Sequence, residues 1–322
     1  TTWAATDILY HKYPLNLGNI GSSGNKSAVD AVQECDLLLS FGCRFTTKCI
    51  TNEKTFAKNA KIIGFDIDKA ELKEGLVKID KGFNIDLKDF IPDFYKNLNL
   101  SKFKYEYKKE WSDKIFELRN NYYNIDETIK SKNPKYISPY KFLNNLFDVS
   151  SNKAIFIPDA GLNITWTYQA NKLKKGQKIF TGSGASPMGY ALPASIGTYY
   201  ATKSKQVICI AGDGGFQMNI QELQAIAFHD LPIKIFILNN ESLGQTRFPS
   251  QNMFGNSAGS DISSGYGWPD FIKIAKAYKI KAINFDNRKN FKSQLKKIMN
   301  FKKPILVDVR IDPLQFRLEC PI

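Results

Sequence analysis

The chain has 322 residues, with 45 Lys and Arg against 31 Asp and Glu, a formal net charge of +14. That length suits two ordinary domains with full cores. The positive charge is mostly dispersed lysine without an aromatic-basic recognition pattern, which argues against a nucleic-acid partner, and no apolar run of about twenty residues is present to span a bilayer.

In chain order, Gly18-Asn19-Ile20-Gly21-Ser22-Ser23-Gly24 is a glycine-spaced loop, a pattern that commonly only turns the chain. Two buried-strand patterns, Cys35–Phe45 and Lys61–Asp68, are separated by a helical segment and suit a partial Rossmann-like sheet. From Ser101 to about Lys135 the sequence is rich in Lys, Asn, Glu and Tyr, with helical spacing at Trp111, Ile115 and Leu118, and reads as a surface-helical connector. The expected organisation is α/β: two doubly wound parallel-sheet domains, 1–100 and 137–322, joined by a connector over 101–136. Five cysteines, none in a CxxC pair, fit a reduced cytoplasm and no zinc site.

Beyond the connector, the strand Ala154–Pro158 leads into Asp159-Ala160-Gly161-Leu162-Asn163-Ile164-Thr165-Trp166, a run expected to form one wall of a ligand pocket. Asp159 either walls a ligand pocket or caps the next helix. Lys178–Phe180 reads as a strand, and the small-residue loop Thr181–Gly189, holding Ser186 and Met188, would let a flat ligand lie against the backbone. Taken alone, Met188 reads as a core gap-filler. Gln206–Ala211 is a nearly all-apolar strand that delivers Asp213 to its carboxyl end, with Gly212, Gly214 and Gly215 allowing a tight turn and close backbone approach. Helical spacing over Asn219–Ala227 then brings the chain back to a second buried strand, Ile233–Leu238, ending at Asn239-Asn240. One strand, helix, parallel-strand unit puts Asp213 and Asn240 at carboxyl ends, where open α/β sheets bind ligands. The Asp213 carboxylate, the Asn240 amide oxygen and the Ser242 carbonyl together suit a hard cation such as Mg²⁺, with phosphate oxygens and water filling its octahedron.

Residues 241–256 should pack over this site. The planar fork of Arg247 suits a substrate carboxylate, although an exposed charge is the plainer alternative. Phe248–Gly267, rich in Ser, Gly and Asn, reads as a long loop that either orders over a filled site or stays without structure. Helices at Asp270–Tyr278 and Asn290–Met299 and a strand at Pro304–Arg310 complete the second sheet.

The GDG at Gly212–Gly214 with Asn239-Asn240 at this interval, the longer runs GDGGFQMNIQEL and LPIKIFILNN, and the upstream MGYALPASIG resemble the thiamine-diphosphate-dependent enzymes, in particular acetolactate synthase-like members. The resemblance implies thiamine diphosphate held through Mg²⁺, with Asp213, Asn240 and Ser242 as metal ligands. Asp159, Gly161, Asn163, Ser186, Met188, Gly212, Gly214, Gly215, Leu243 and Gly244 would surround the cofactor. Met188 would prop the thiamine in a bent form, and the Ser186 carbonyl would accept from its pyrimidine amino group. The implied activity is decarboxylation of a 2-keto acid, pyruvate in the leading reading, with transfer of the two-carbon unit to an acceptor carbonyl. A homodimer or homotetramer is implied as well. The first third resembles the family's middle domain, which holds FAD in some members and is empty in others; Gly21, Gly24, Arg44 and Asp66 would be the contacts, and the empty form is the expectation here. The catalytic glutamate belongs to an amino-terminal pyrimidine-binding domain that this sequence lacks. No catalytic residue is therefore assigned here, and the expectation is an inactive fragment of a longer polypeptide or, second, a separate subunit.

Departures from acetolactate synthases bear on the acceptor. Gly161-Leu162-Asn163-Ile164 replaces their Gly-Gln-His-Gln run, and Gly244-Gln245 and Pro249 stand where Gly-Met and a later Trp are typical. These changes keep open a carboligase acting on a keto-sugar nucleotide, or a simple decarboxylase. A non-catalytic subunit is a third reading, against which the intact GDG, NN and Met188 argue.

Overall fold

The computed structural model describes residues 1–50, 52–100, 108–123, 133, 135–203, 206–285 and 290–318. They fall into two compact units, Thr1–Trp3 with Pro14–Asn124 and Ala4–Tyr13 with Ile125–Leu318. Within the expected connector, residues 101–107, 124–132 and 134 lie outside the described set.

The first unit runs α1 (Lys26–Glu34), β1 (Leu37–Phe41), β2 (Lys61–Asp66), α2 (Lys69–Glu74), β3 (Lys81–Asn84), α3 (Leu87–Leu100) and α4 (Lys109–Leu118). Its strands are parallel in the order β1-β2-β3. Ile62 packs with Phe45, Ile50, Phe56 and Val77 in one core cluster. Phe41, Phe65 and Phe83 stack across the sheet with neighbouring ring centroids 5.1 Å apart and planes 9° apart, and Phe90 of α3 lies on Phe65. Leu37 and Leu39 stay exposed, so β1 is not the fully buried strand its composition suggests. The helical segment expected between β1 and β2 is also absent among the described residues, where turns run instead. Thr46, Thr47 and Thr55 disfavour helix there, and Phe45, Ile50 and Phe56 reach the core at irregular spacing. In α4, Ile115 and Leu118 are buried at the expected helical interval.

The early glycines are packing devices. Gly21 sits at φ +108°, and a Cβ on it would stand 2.0 Å from the Lys48 carbonyl oxygen; one on Gly24 would stand 2.1 Å from that of Asn19. Gly21→Ala is expected to destabilise this unit by at least about 1–3 kcal/mol, the cost of the backbone conformation before the clash is added. Chemical denaturation combined with hydrogen exchange of the α1 amides checks it.

The second unit contains α5 (Pro139–Val149), β4 (Ile155–Pro158), α6 (Leu162–Gln169), β5 (Lys178–Ile179), α7 (Ala191–Thr202), β6 (Val207–Gly212), α8 (Asp213–Met218) and α9 (Leu223–Phe228). It continues through β7 (Lys234–Asn239), α10 (Gly244–Phe254), α11 (Phe271–Ala277), β8 (Lys281–Asn284), α12 (Phe291–Asn300) and β9 (Ile305–Arg310). All pairings are parallel, in the order β5-β4-β6-β7-β9-β8. The apolar runs of β6 and β7 are buried almost throughout, as two-sided parallel strands require. From β4 the chain goes outward to β5 and then crosses back to β6 on the other side. The connections leaving β4 and β6 therefore run to opposite sides, and an open α/β sheet has its ligand crevice at such a switch point. Among the described residues no helix is long and apolar enough to cross a membrane.

Candidate functional site

A cavity open to solvent on one side lies at that switch point, walled by the exits of β4, β6 and β7. From β4 come Gly161 and Asn163; from β6 come Gly212, Asp213, Gly214 and Gly215; from β7 come Asn240, Ser242, Leu243 and Gly244. Met188 closes one side. Of the expected cofactor residues, Asp159 and Ser186 do not line the cavity.

Asp213 is the charged centre. It is 1% exposed, and its Oδ1 accepts from the Gly214 N–H at 2.7 Å and the Tyr266 hydroxyl at 3.2 Å. Oδ2 is buried with no partner. Burial pushes the Asp213 carboxyl up to about 7, while the Gly214 N–H, the Tyr266 hydroxyl and the amides of Glu241 and Ser242 pull it back. Those last two amides place the loop after β7 beside the carboxylate. Sheet register does the same, since Gly212 pairs with Leu238.

The Asn240 amide nitrogen donates to Ser242 Oγ at 3.0 Å, which turns the amide oxygen the other way. Between these residues Glu241 adopts a left-handed backbone, φ +56°, and its carboxylate is held by Arg310 Nη1 at 2.8 Å. Such strain on a non-glycine residue is found where a loop must present groups in one arrangement. Among the described residues no group of three His, Cys, Asp or Glu gathers for a metal. The donors here are one carboxylate and neutral oxygens, the set that suits Mg²⁺ rather than zinc.

Gly161 and Leu243 are the N-caps of α6 and α10, neither with a side-chain cap hydrogen bond, and both line the cavity. Uncapped helix starts offer N–H groups and positive potential to phosphate oxygens. The cavity thus fits a magnesium-bound diphosphate: a bare buried carboxylate oxygen for the ion and free helix ends for the anion.

The tight turn expected around Asp213 is instead the first turn of α8. Gly214 and Gly215 are needed for close approach: a Cβ on Gly214 would lie 2.4 Å from Leu243 Cδ2, and one on Gly215 would lie 3.2 Å from the Asp159 carboxyl. Asp159 itself is buried and accepts from the N–H groups of Ala160 (2.6 Å) and Gly189 (3.0 Å), tying the β4 exit to the loop before α7. Burial pushes its carboxyl up to about 6 against the pull of those amides. Ser186 is left-handed at φ +47° in that loop. Met188, 40% exposed, is no core filler.

Arg247 is spent elsewhere. It pairs with Asp261 at 3.3 Å, both side chains largely buried, and donates to the Pro313 carbonyl at 3.1 Å. The expected loop from Phe248 is helical as far as Phe254, and the remainder is anchored by an antiparallel bridge between Ser242 and Asp261. In the first unit, Arg44 pairs with Glu71 at 3.0 Å, and Asp66 accepts from the Asp68 N–H. Leu162, Trp166, Gln245 and Thr246 also line the cavity. Leu162 and Trp166 fall within the Asp159–Trp166 run expected to wall the pocket, although α6 is buried on every side and shows no amphipathic period that would single them out. Tyr266 escapes a sequence reading inside a Gly- and Ser-rich stretch.

Two family models match: "Thiamine pyrophosphate enzyme, C-terminal TPP binding domain" over residues 159–309 and "Thiamine pyrophosphate enzyme, central domain" over residues 1–93. A protein named "Probable acetolactate synthase large subunit" from Methanocaldococcus jannaschii is 34% identical over 321 residues, covering 98% of this chain and 53% of that protein. The acetolactate synthase large subunit of Porphyra purpurea is 35% identical over 315 residues, 97% of this chain and 52% of that one. The isozyme 1 large subunit of Escherichia coli is 31% identical over 319 residues, 97% and 53% respectively. The chain spans about half the length of these relatives.

Proposed function

The chain belongs to the thiamine pyrophosphate enzymes, and we propose that it is the cofactor-anchoring part of an acetolactate synthase-like enzyme. The reaction is decarboxylation of a 2-keto acid, pyruvate first, with transfer of the two-carbon unit to an acceptor carbonyl. The observation that carries this reading is the bare Oδ2 of Asp213, buried at the switch point beside Asn240 and Ser242. Asp213 Oδ2, the Asn240 amide oxygen and the Ser242 carbonyl hold Mg²⁺, and the starts of α6 and α10 hold the diphosphate. When bound, thiamine diphosphate supplies a ring that accepts electrons as CO₂ leaves. Met188 orients it from the exposed side, and Leu162 and Trp166 keep water from that wall.

The reading divides the chain at 1–100, 101–136 and 137–322, and makes the protein a cytoplasmic homodimer or homotetramer with an empty middle domain. A pyrimidine-binding domain, on the same longer polypeptide or another subunit, supplies the glutamate. The test is product analysis of the complete enzyme given pyruvate alone. Acetolactate is the expected product; its absence in an enzyme that binds the cofactor contradicts the assignment.

A second reading is favoured by Gln245, which stands where typical acetolactate synthases have Met, and by its neighbour Thr246; both are polar and line the cavity. It keeps the cofactor and changes the acceptor to a carbonyl with its own hydrogen-bonding groups, such as a keto-sugar nucleotide. Acetaldehyde alone from pyruvate, with carboligation once such an acceptor is added, is its expected signature.

A further inference from the structure

The carboxylate of Asp213 is asymmetric: Oδ1 is tied by the Gly214 N–H and the Tyr266 hydroxyl, whereas Oδ2 is buried and bare. Tyr266 comes from the segment after α10, and that segment hangs from the loop after β7. Ser242 bridges Asp261, and the Leu243 N–H donates to the Ser260 carbonyl at 2.9 Å. From the same Asp261, the carbonyl accepts the Tyr266 N–H at 2.9 Å. Asp261 is in turn fixed by Arg247 at 3.3 Å and accepts from the hydroxyls of Ser263 and Ser264. One residue thus holds both the loop that offers the Ser242 carbonyl and the tyrosine that grips Asp213. The Tyr266 hydroxyl also stands 3.2 Å from where a Cβ on Gly214 would be, directly over the glycine of the motif.

We infer that Tyr266 is a positioning residue for the metal site: its hydroxyl fixes the rotation of the Asp213 carboxylate so that Oδ2 meets the ion, and Asp261 keeps it in register with the Ser242 carbonyl. This rests on the reading of Asp213 as a metal ligand. A carboxylate held by one oxygen does not have to be reoriented when the ion arrives, and outer partners of this kind commonly set metal affinity by about 10–100-fold. No proton moves in this role. The hydroxyl acts as a donor throughout.

The test is a Mg²⁺ titration by calorimetry of the complete protein at saturating thiamine diphosphate, comparing wild type, Tyr266→Phe and Asp213→Asn. Tyr266→Phe keeps the ring and its approach to Trp268, so the metal-free protein should keep its native fold by circular dichroism while the Kd for Mg²⁺ rises roughly 10-fold. An unchanged Kd overturns the proposal. So does a raised Kd accompanied by loss of the native fold in the metal-free variant, which would mark mere packing. Asp213→Asn separates the two levels: if that variant still binds Mg²⁺ as wild type does, the metal reading itself fails. If it does not bind while Tyr266→Phe is unaffected, only the role of Tyr266 fails.

Discussion

Asp213→Asn is expected to raise the Kd for Mg²⁺-dependent thiamine diphosphate binding by on the order of 100-fold or more, about 2.7 kcal/mol, while making the ligand-free protein more stable at pH 8. Both effects have one cause. The carboxylate is 1% exposed with one oxygen bare, so its charge is costly until a cation compensates it. Burial raises its folded-state value to about 7 from an ordinary 3.8. A raised value means that the folded state holds the proton more tightly than the unfolded chain. Stability from this group is then fully present below about pH 4 and is lost as the pH climbs through 7. Each unit of such a shift costs about 1.4 kcal/mol at pH values above it. The ligand-free wild type should therefore lose stability between pH 4 and 8 more steeply than Asp213→Asn, and saturating Mg²⁺ and thiamine diphosphate should remove the difference in slope. Denaturation curves across that pH range, with and without ligands, check it. Parallel curves for the two proteins would contradict it.

Met188→Ala is expected to lower turnover of the complete enzyme by on the order of 100-fold, because small misplacements of reacting groups are that costly, with little change in cofactor affinity or stability. The side chain is 40% exposed and its Cε lies 3.4 Å from the position of a Cβ on Gly214, so it faces the cavity rather than the core. A buried methionine truncated to alanine would cost about 2–5 kcal/mol; an exposed one should stay within about 0.5 kcal/mol. Steady-state kinetics with equilibrium denaturation separates these outcomes. A stability loss in the first range would return Met188 to a packing role.

Burial geometry decides which elements are legible in the sequence. β6 and β7 are largely apolar runs because parallel strands are covered on both faces, and each is followed directly by a polar residue, Asp213 and Asn240. That alone locates Asp213 and Asn240. α11 and α12 are equally plain, since Asp270 and Asn290 cap amphipathic turns. The edge strands β3 and β8 escape detection: they are only four residues long and neither has a buried residue, so no alternating signal marks them. Gly214 and Gly215 are legible as glycines that allow a turn and close approach, but glycine carries two meanings, backbone freedom and absence of bulk, and only the neighbours Leu243 and Asp159 show what approaches them. The roles of Arg247 and Tyr266 are out of reach for a related reason. Their partners, Asp261 and Asp213, are chosen by how the segment after α10 folds back, which no local pattern encodes.

If the tips of β6 and β7 together hold one divalent ion carrying a diphosphate, anomalous diffraction from crystals of the complete protein grown with Mn²⁺ and thiamine diphosphate reveals it most directly. A single peak about 2.0–2.3 Å from Asp213 Oδ2, the Asn240 amide oxygen and the Ser242 carbonyl is expected, near the distances of hard cations to oxygen. Bound cofactor with no peak there, or a peak that touches Asp213 without Asn240, would contradict it.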